Sequence, residues 1–255
     1  MSADDSSYQT LARWLADAKS AVAFTGAGIS TESGIPDFRS PGGIWAKYRV
    51  VEYQEFLASA DARHEYWRQK SEAHADFADA APNTGHHALA RWESQGRLAA
   101  VITQNIDELH QQAGSQRVLE LHGTARRIAC LDCGERYEVE PLLAEFRREN
   151  AVPPCPACGG RLKSATISFG QMLPPEVLHE SFALAKRADL FLAIGSSLVV
   201  EPAASLPRVA KEHGARLVIV NRDPTPLDDR ADLVIDGSIG AALAGVDAAL
   251  ELKEN

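Results

Sequence analysis

Four cysteines stand in two pairs, Cys130-x-x-Cys133 and Cys155-x-x-Cys158, with 21 residues between the pairs. The chain has no other cysteine. Four thiolates complete the tetrahedral shell of a zinc ion and leave no position open, which is the chemistry of a structural site. A redox C-x-x-C motif is the alternative, and two pairs at this spacing make it less favoured. We therefore predict one structural Zn²⁺ ion, which supplies folding energy to a segment with few apolar residues.

The stretch FTGAGISTESGIPDFRS, from Phe24 to Ser40, begins like a dinucleotide-binding turn. Gly26 and Gly28 match the first two glycines of G-x-G-x-x-G, where backbone N–H groups approach a phosphate at a helix N-terminus. The third glycine is replaced by Thr31, and no second strand with an acidic end follows. A hydride-transfer site is therefore not predicted, and an ordinary tight turn is the alternative.

The loop after this turn combines a carboxylate, a proline, an aromatic ring and a guanidinium group. Hydrophobic packing does not need such a mixture. Arg39 can pair with a phosphate, and Phe38 can cover a flat ring. The turn is therefore expected to bind a dinucleotide, and the loop is free for other chemistry.

Two further motifs follow apolar segments. In TQNIDELH, Gln104, Asn105 and Asp107 offer amide and carboxylate partners for ribose hydroxyls and a carboxamide. The alternative is that Asn105 caps a helix over IDELHQQAG, and His110 on that helix is interpreted as structural. VLELHG ends in His122, whose near-neutral pKa suits a general base. A surface histidine is the alternative interpretation of His122.

Two more strand ends carry polar groups. In GSSLVVEP, Gly195, Ser196 and Ser197 can hydrogen-bond phosphate and ribose. The LVVEP part is expected to be extended, and with the segment SFGQMLP it could pair with a peptide backbone. Asn221 and Arg222 stand at the end of another apolar segment.

A sheet must hold these motifs at one edge. Six nearly continuous apolar segments end in polar or glycine residues, as in a parallel sheet buried on both faces. Helical patterns separate them, including YQTLARWLADAK and a segment that stops at Gly96, a helix C-cap. The six segments begin at Ala21, Ala99, Val118, Asp189, Arg216 and Ala231.

This alternation predicts an α/β fold, a Rossmann-like doubly wound parallel sheet with a smaller zinc-binding and helical second lobe. The Rossmann-like domain is assigned residues 1–37, 84–123 and 165–255. The small lobe is assigned the helical insertion 38–83 and the zinc-ribbon module 124–164.

Composition limits the classes of partner. The 255 residues are 45% hydrophobic, and 26 Lys and Arg oppose 35 Asp and Glu, for a net charge of −9. Binding to nucleic acid or an anionic membrane depends on clustered cations, so neither is expected. The sequence shows no apolar run of about 20 residues and no secretory signal, so the chain is expected in the cytoplasm.

Four motifs, taken in order, resemble those of the sirtuins of bacterial type, which are NAD-dependent protein-lysine deacylases. They are GAGISTESGIPDFRSPGGIW, TQNIDELH, LHG and GSSLVVEPA. The resemblance runs from about Ala21 to Asp236 and includes the cysteine cluster. It implies that NAD is consumed and that acylated-lysine proteins are the substrates. It gives no oligomeric state.

The resemblance also implies roles for single residues. His122, Asn105 and Asp107 form the catalytic set. NAD is expected to contact Gly26, Ala27, Gly28, Glu32, Pro36, Asp37, Phe38, Arg39, Gln104, Asn105, Asp107, His122, Gly195, Ser196, Ser197, Asn221, Arg222 and Ser238. The acylated peptide is expected to contact Phe169, Gly170, Gln171, Val199, Val200 and Glu201.

The implied reaction uses nicotinamide as a leaving group. The acyl-lysine oxygen attacks C1′ of the ribose, His122 then deprotonates a ribose hydroxyl, and water completes the formation of 2′-O-acyl-ADP-ribose. Sirtuins that prefer acidic acyl groups carry a tyrosine and an arginine on a helix of the small lobe, where this chain has Trp67 and Lys70. Uncharged acyl groups are therefore expected.

Four other functions are weighed against this one. ADP-ribosyl transfer to a protein side chain uses the same cofactor residues and is the main alternative. A zinc-ribbon nucleic-acid module is disfavoured by the acidic balance of the chain. A catalytically inactive NAD sensor is disfavoured because His122 and Asn105 are both present, and a dehydrogenase is the weakest alternative.

Overall fold

The fold is described from a computed structural model, which covers residues 3–37, 43 and 48–254. Phe38 and Arg39, both expected at the cofactor, lie outside the described residues. The strands, in chain order, are β1 (Ala21–Thr25), β2 (Ala100–Thr103), β3 (Val118–Glu120), β4 (Gly123–Cys130), β5 (Arg136–Glu138), β6 (Leu162–Thr166), β7 (Leu190–Ile194), β8 (Arg216–Asn221) and β9 (Leu233–Asp236).

The helices connect these strands. They are α1 (Ala3–Asp17), α2 (Tyr53–Ala58), α3 (Ala60–Ala78), α4 (Thr84–Ser94), α5 (Leu109–Gln112), α6 (Val139–Glu149), α7 (Pro175–Arg187), α8 (Ser205–Glu212) and α9 (Ile239–Glu254). Two short 3₁₀ helices cover Ala27–Ser33 and Asp228–Arg230.

The larger sheet has six parallel strands in the order β3-β2-β1-β7-β8-β9. Each of the six apolar segments predicted from the sequence forms one of these strands, so the predicted fold class is confirmed. Because all six strands run the same way, their polar carboxyl ends meet at one edge. Thr25 is level with Thr103 on one side and with Ile194 on the other.

Apolar layers cover both faces of this sheet. Along β1, Ala21 and Ala23 pack in the layer that contains α1, α4 and α9. Val22 and Phe24 point the other way and pack with α7 and α8. All five residues of β1 are buried, which is why the strand lacks polar alternation.

Helix α4 shows how local sequence sets an element boundary. The Asn83 side chain accepts hydrogen bonds from the N–H groups of Gly85 and His86, and His86 Nδ1 accepts one from the Asn83 N–H. This reciprocal capping box fixes the start of the helix. The helix ends at Ser94, and Gly96 then adopts a left-handed φ of 73°, which confirms the predicted stop.

The second sheet contains three antiparallel strands in the order β5-β4-β6. Helix α6 lies between the two cysteine pairs in sequence, an element absent from the predicted zinc ribbon. Residues of α2, α3, α6 and this sheet share one buried apolar cluster, which includes Phe56, Trp67, Phe146 and Leu162. The expectation of few apolar residues around the cysteines is therefore wrong. The assigned domain limits stay a prediction.

Within the described part of the chain, no helix combines the length and the apolar character that crossing a membrane requires.

Candidate active site

A cleft of about 750 Å³ opens where the parallel strands end. The residues directly after β1, β2, β7 and β9 line it, as do segments of the small lobe. Of the residues predicted from the sequence, the cleft is lined by Gly26, Ala27, Gly28, Glu32, Asp37, Gln104, Asn105, His122, Phe169, Gly170, Gln171, Gly195, Ser196, Ser197, Val200, Glu201, Asn221, Arg222 and Ser238.

The glycines of the first turn allow a close contact with the end of β7. The N–H groups of Gly26 and Gly28 donate to the carbonyl oxygens of Ile194 and Gly195, at 3.0 and 2.8 Å, so they are already used within the fold. The expected contact of this turn with a phosphate stays a prediction. Glycine is needed for close approach, since a Cβ on Gly28 would lie 2.7 Å from the Gly195 Cα.

Gly195, the residue directly after β7, forms the other side of this contact. Its φ is 64°, a left-handed value that favours glycine, and a Cβ there would lie 2.5 Å from the Ile29 nitrogen. The short 3₁₀ helix that begins at Ala27 thus rests directly on the end of β7. The interlocked glycines bring two strand ends close enough to form one cleft wall.

His122 is held in one tautomer by the main chain. Its Nδ1 lies 2.9 Å from the carbonyl oxygen of Gln104, and a carbonyl oxygen only accepts hydrogen bonds, so Nδ1 carries the proton. Nε2 is then the nitrogen with a free lone pair in the neutral ring. Burial lowers the pKa of His122, and the hydrogen bond to Gln104 opposes this shift. A neutral, oriented imidazole on a cleft wall can accept a proton from a bound hydroxyl.

Gln104 also connects the base to the next strand. Its Nε2 donates to Ser196 Oγ at 2.7 Å, and the same hydroxyl accepts from the Leu198 N–H at 3.3 Å. The Gln104 main chain thus positions His122, while its side chain positions Ser196. The sequence placed Gln104 and Ser196 at the cofactor, and the structure brings them into direct contact.

Asn105 and Asp107 are joined through a residue that the sequence analysis did not single out. Asn105 Nδ2 donates to Ser30 Oγ at 3.0 Å and to the Gly26 carbonyl oxygen at 3.2 Å. Ser30 Oγ in turn donates to Asp107 Oδ2 at 2.7 Å. Because Ser30 is only 1% exposed, this is a buried chain that orients the Asn105 amide. A serine in a glycine-rich turn gives no distinctive sequence signal.

The structure places Asp107 behind the cleft wall rather than on it. Asp107 is 3% exposed and is absent from the cleft lining, in contrast to Asn105. Its other oxygen, Oδ1, accepts from the Leu109 N–H at 3.0 Å, where α5 begins. The alternative that Asn105 caps this helix is therefore wrong.

Glu32 and Ser238 also meet at the cleft. Ser238 Oγ and the Gly240 N–H both donate to Glu32 Oε1 at 3.0 Å, so Glu32 satisfies the first turn of α9. Asn221 Nδ2 donates to the Asp223 carbonyl oxygen at 2.6 Å, which fixes the loop after β8.

The two segments expected to hold a peptide lie on the same cleft. Phe169 and Val199 are 49% and 52% exposed, which is unusual for large apolar side chains. The LVVEP part is not extended as expected: Leu198 has a left-handed φ of 53°, and the Ala204 N–H donates to the Val200 carbonyl oxygen across a turn. Val199 does not line the cleft, and neither does Pro36, although both were expected at the site.

The small lobe contributes residues that the sequence analysis did not assign to the site. Tyr66 and Lys70 of α3 line the cleft. Trp67, which the sequence analysis paired with Lys70, is 1% exposed, and its Nε1 donates to the Leu162 carbonyl oxygen at 3.1 Å. The structure therefore brings Lys70, and not Trp67, to the cleft.

The four cysteines are close enough to hold one metal ion. All four Sγ atoms lie within 4.8 Å of one another. The Cys130–Cys158 and Cys133–Cys155 sulfur distances are 3.6 and 3.8 Å. A tetrahedral Zn²⁺ with Zn–S bonds of about 2.3 Å separates its sulfurs by about 3.8 Å, so this donor set fits zinc.

Three comparisons with known proteins agree with this geometry. A family model described as the Sir2 family matches residues 26–202. The chain is similar to NAD-dependent protein deacetylase 1 of Bradyrhizobium diazoefficiens, with 51% identity over 240 residues, which cover 93% of this chain and 94% of that protein.

Solved structures give the same result. A structure described under "Structural Basis for the Mechanism and Regulation of Sir2 Enzymes" matches with a TM-score of 0.86 and 43% identity, over 98% of this chain and 99% of that one. A Sir2 variant with a deacetylated p53 peptide and 3′-O-acetyl ADP-ribose matches with a TM-score of 0.87 and 39% identity, over 94% and 97% of the two chains.

Proposed function

The chain belongs to the Sir2 family and is an NAD-dependent protein deacylase, and we propose that His122 and Asn105 carry its reaction. The reaction cleaves the bond between nicotinamide and ribose in NAD and transfers the acyl group of a protein lysine to ADP-ribose. Nicotinamide, 2′-O-acyl-ADP-ribose and the free lysine are the products. The relatives are named for deacylation, so we do not propose ADP-ribosyl transfer to protein side chains.

His122 acts as the general base after nicotinamide has left. Its Nδ1 proton is held by the Gln104 carbonyl oxygen, so Nε2 accepts the proton of a ribose hydroxyl. The ribose oxygen is thereby activated to take up the acyl group. The contact between the Gln104 side chain and Ser196 Oγ supports a role for both residues in holding that ribose.

Asn105 holds the nicotinamide end of NAD. Its Nδ2 group is used by Ser30 and Gly26, which leaves Oδ1 to accept from the carboxamide N–H₂ of the substrate. Ser30 and Asp107 are positioning residues that keep the amide in this orientation. A fixed amide favours one rotation of the carboxamide and so aligns the bond that breaks.

The remaining predicted residues divide the cleft between cofactor and peptide. The adenosine half of NAD lies against Asn221 at the end of β8 and against the loops after β8 and β9, which carry Arg222 and Ser238. Phe38 and Arg39 remain predicted cofactor contacts from the sequence. The acylated peptide lies between Phe169–Gln171 and Val199–Glu201, where exposed apolar side chains flank the cleft.

The zinc ion has a structural role. Cys130, Cys133, Cys155 and Cys158 would hold it and leave no position open to substrate. Zinc would link the two cysteine turns when bound, and no step of the reaction is assigned to it. The assigned small lobe, residues 38–83 and 124–164, then carries one wall of the cleft.

We also propose substrates, partners and a location. The substrates are NAD and proteins with acylated lysines, and the preferred acyl groups are uncharged. Competing acetyl-lysine against succinyl-lysine peptides tests this preference. The acidic net charge supports the absence of nucleic-acid and membrane partners, and a reduced metal-binding cysteine cluster supports a cytoplasmic location.

The main support for this proposal is the tautomer of His122, which has its proton on Nδ1 and lies on the cleft wall. It is tested with His122→Ala, NAD and an acetyl-lysine peptide. Because the base acts after nicotinamide leaves, the variant should lose 2′-O-acyl-ADP-ribose formation while still exchanging labelled nicotinamide into NAD. His179→Ala, at an exposed position on α7, is the control and should retain both activities. Full deacylation by His122→Ala would overturn the assignment.

A further inference from the structure

Two buried histidines lie behind the cleft and have no part in the proposed reaction. His86 belongs to α4 and His110 to α5, and they are 0% and 1% exposed. Their ring centroids are 4.8 Å apart, with an angle of 60° between the ring planes. Each ring has one nitrogen without a hydrogen-bond partner among the described residues, His86 Nε2 and His110 Nδ1. Two unpaired polar atoms in contacting buried rings call for a physical explanation.

The other nitrogen of His110 begins a chain of hydrogen bonds that ends at the cleft. His110 Nε2 lies 2.9 Å from Thr25 Oγ1, which lies 2.8 Å from Thr103 Oγ1. Thr103 Oγ1 accepts from the Asn105 N–H at 3.0 Å. Thr25 and Thr103 are the last residues of β1 and β2 and are almost fully buried. This series of hydrogen bonds therefore connects His110 to the main chain of Asn105 through the protein interior.

The tautomer of His86 follows from the capping box of α4. The Asn83 N–H donates to His86 Nδ1 at 3.3 Å, so this nitrogen carries no proton and the neutral ring is protonated at Nε2. The tautomer of His110 follows from Thr25. Thr25 Oγ1 donates its one proton to Thr103 Oγ1, so it accepts from His110, and His110 Nε2 carries the proton. Burial also lowers the pKa of His86 to about 4 and that of His110 to about 3, so both rings are neutral at pH 7.

We propose that His110 is a positioning residue for the nicotinamide site, set in its Nε2–H tautomer by its hydrogen bond to Thr25. In this arrangement the His110 Nε2–H donates to Thr25 Oγ1, Thr25 donates to Thr103 Oγ1, and Thr103 holds the Asn105 N–H. Thr103 Oγ1 thus accepts from both sides, from Thr25 Oγ1 and from the Asn105 N–H at the strand end. The inference rests on the proposed role of Asn105.

The same end of α4 also supports the other side of Asn105. Asn83 Nδ2 donates to the Ile29 carbonyl oxygen at 2.7 Å and to Ser33 Oγ at 2.9 Å. These bonds hold the 3₁₀ helix that carries Ser30, the partner of the Asn105 amide. The start of α4 thus supports the Asn105 main chain through the His86–His110 ring contact. It supports the Asn105 side chain through the segment that carries Ser30.

The test compares His110→Gln with His110→Leu. A glutamine amide can replace the Nε2–H donor, whereas leucine fills similar space without donating. We expect His110→Leu to raise the KM for NAD and the inhibition constant of nicotinamide about five- to tenfold, the effect of one lost hydrogen bond. The KM for the acetylated peptide should not change, and His110→Gln should recover most of the loss. His213→Leu, at an exposed position just after α8, is the control.

A second measurement does not depend on the variants folding. ¹⁵N NMR of the wild-type chain should show both His86 and His110 protonated at Nε2, with no titration between about pH 5 and 8. Protonation of His110 at Nδ1 would overturn the proposal. So would a folded His110→Leu variant with wild-type values for NAD and nicotinamide. Failure of the wild type to release nicotinamide would instead contradict the proposed function and leave the tautomer result standing.

Discussion

His122 Nδ1 donates to the Gln104 carbonyl oxygen at 2.9 Å, and the side chain of the same glutamine donates to Ser196 Oγ. One residue at the end of β2 therefore positions both the general base and a serine that follows β7. The contact explains how residues far apart in sequence meet at one edge of the sheet. It also sets the tautomer of His122 on which the reaction depends.

The first prediction concerns the pH dependence of that base. Burial lowers the pKa of His122, so the neutral, proton-accepting form dominates at pH 7. We expect kcat/KM to be flat above about pH 7 and to fall only at pH values below the usual histidine pKa of about 6.5. A pH profile of deacetylation at limiting peptide measures this. An acid limb centred above pH 7 would contradict it.

The second prediction concerns zinc. The wild-type chain should contain one zinc ion, and Cys130→Ala should lose both the ion and the activity, because three thiolates bind it far more weakly. Metal analysis and circular dichroism measure the two effects. Tyr137→Phe is the control: it removes the hydroxyl 3.0 Å from Cys155 Sγ but retains all four thiolates, and it should keep the ion. An active Cys130→Ala protein without zinc would refute the structural role.

The third prediction concerns the interlocked glycines. Gly195→Ala places a Cβ 2.5 Å from the Ile29 nitrogen at a φ of 64°, so it adds a main-chain clash to backbone strain. Gly96→Ala has a similar φ of 73°, but its Cβ would meet no atom of the described residues within 4 Å apart from its chain neighbours, so it tests strain alone, at a cost of about 1 kcal/mol. Thermal unfolding should show a clearly larger loss for Gly195→Ala, and its KM for NAD should rise. Equal losses of thermal stability in the two variants would contradict the claim that glycine is needed at position 195 for close approach.

The fourth prediction concerns a buried cation. Lys163 is 1% exposed, and its Nζ donates to the Thr166 carbonyl oxygen at 2.5 Å. Burial, together with the charge of Lys70, lowers the pKa of Lys163 to about 7, from 10.5 in the unfolded chain. Between these values the unfolded chain binds more protons than the folded one. The free energy of unfolding should therefore rise with pH across this window, by at most about 1.4 kcal/mol per pH unit for this group.

Lys163→Met should reduce this slope, whereas Lys186→Met, at an exposed position on α7, should leave it unchanged. Denaturant unfolding at several pH values between about 7 and 10 measures it. An unchanged slope in Lys163→Met would show that Lys163 does not titrate differently in the folded chain.

Much of this architecture could be predicted from the sequence, because buried parallel strands leave a simple signal. Each of the six apolar segments formed a strand, and the cysteine spacing brought four sulfurs together. The motifs that end these strands met in one cleft because parallel strands place their carboxyl ends at the same edge.

The parts that the sequence did not predict depend on contacts between distant segments. The amides of Gly26 and Gly28 donate to carbonyl groups at the end of β7, a contact across about 170 residues that no local pattern marks. Nothing local in the sequence marks Ser30 as the partner of both Asn105 and Asp107. Helix α6 is an exception, since its buried Leu142, Leu143 and Phe146 have the local spacing of an amphipathic helix, which the sequence analysis did not use.

The most direct test of the account is the stoichiometry of one reaction. Purified wild-type protein is incubated with NAD and an acetyl-lysine peptide, and nicotinamide, free lysine peptide and acetylated ADP-ribose are measured together. We expect equal amounts of all three, with no deacetylation when NAD is omitted. Deacetylation without nicotinamide release, or nicotinamide release with ADP-ribose attached to the peptide, would contradict the account.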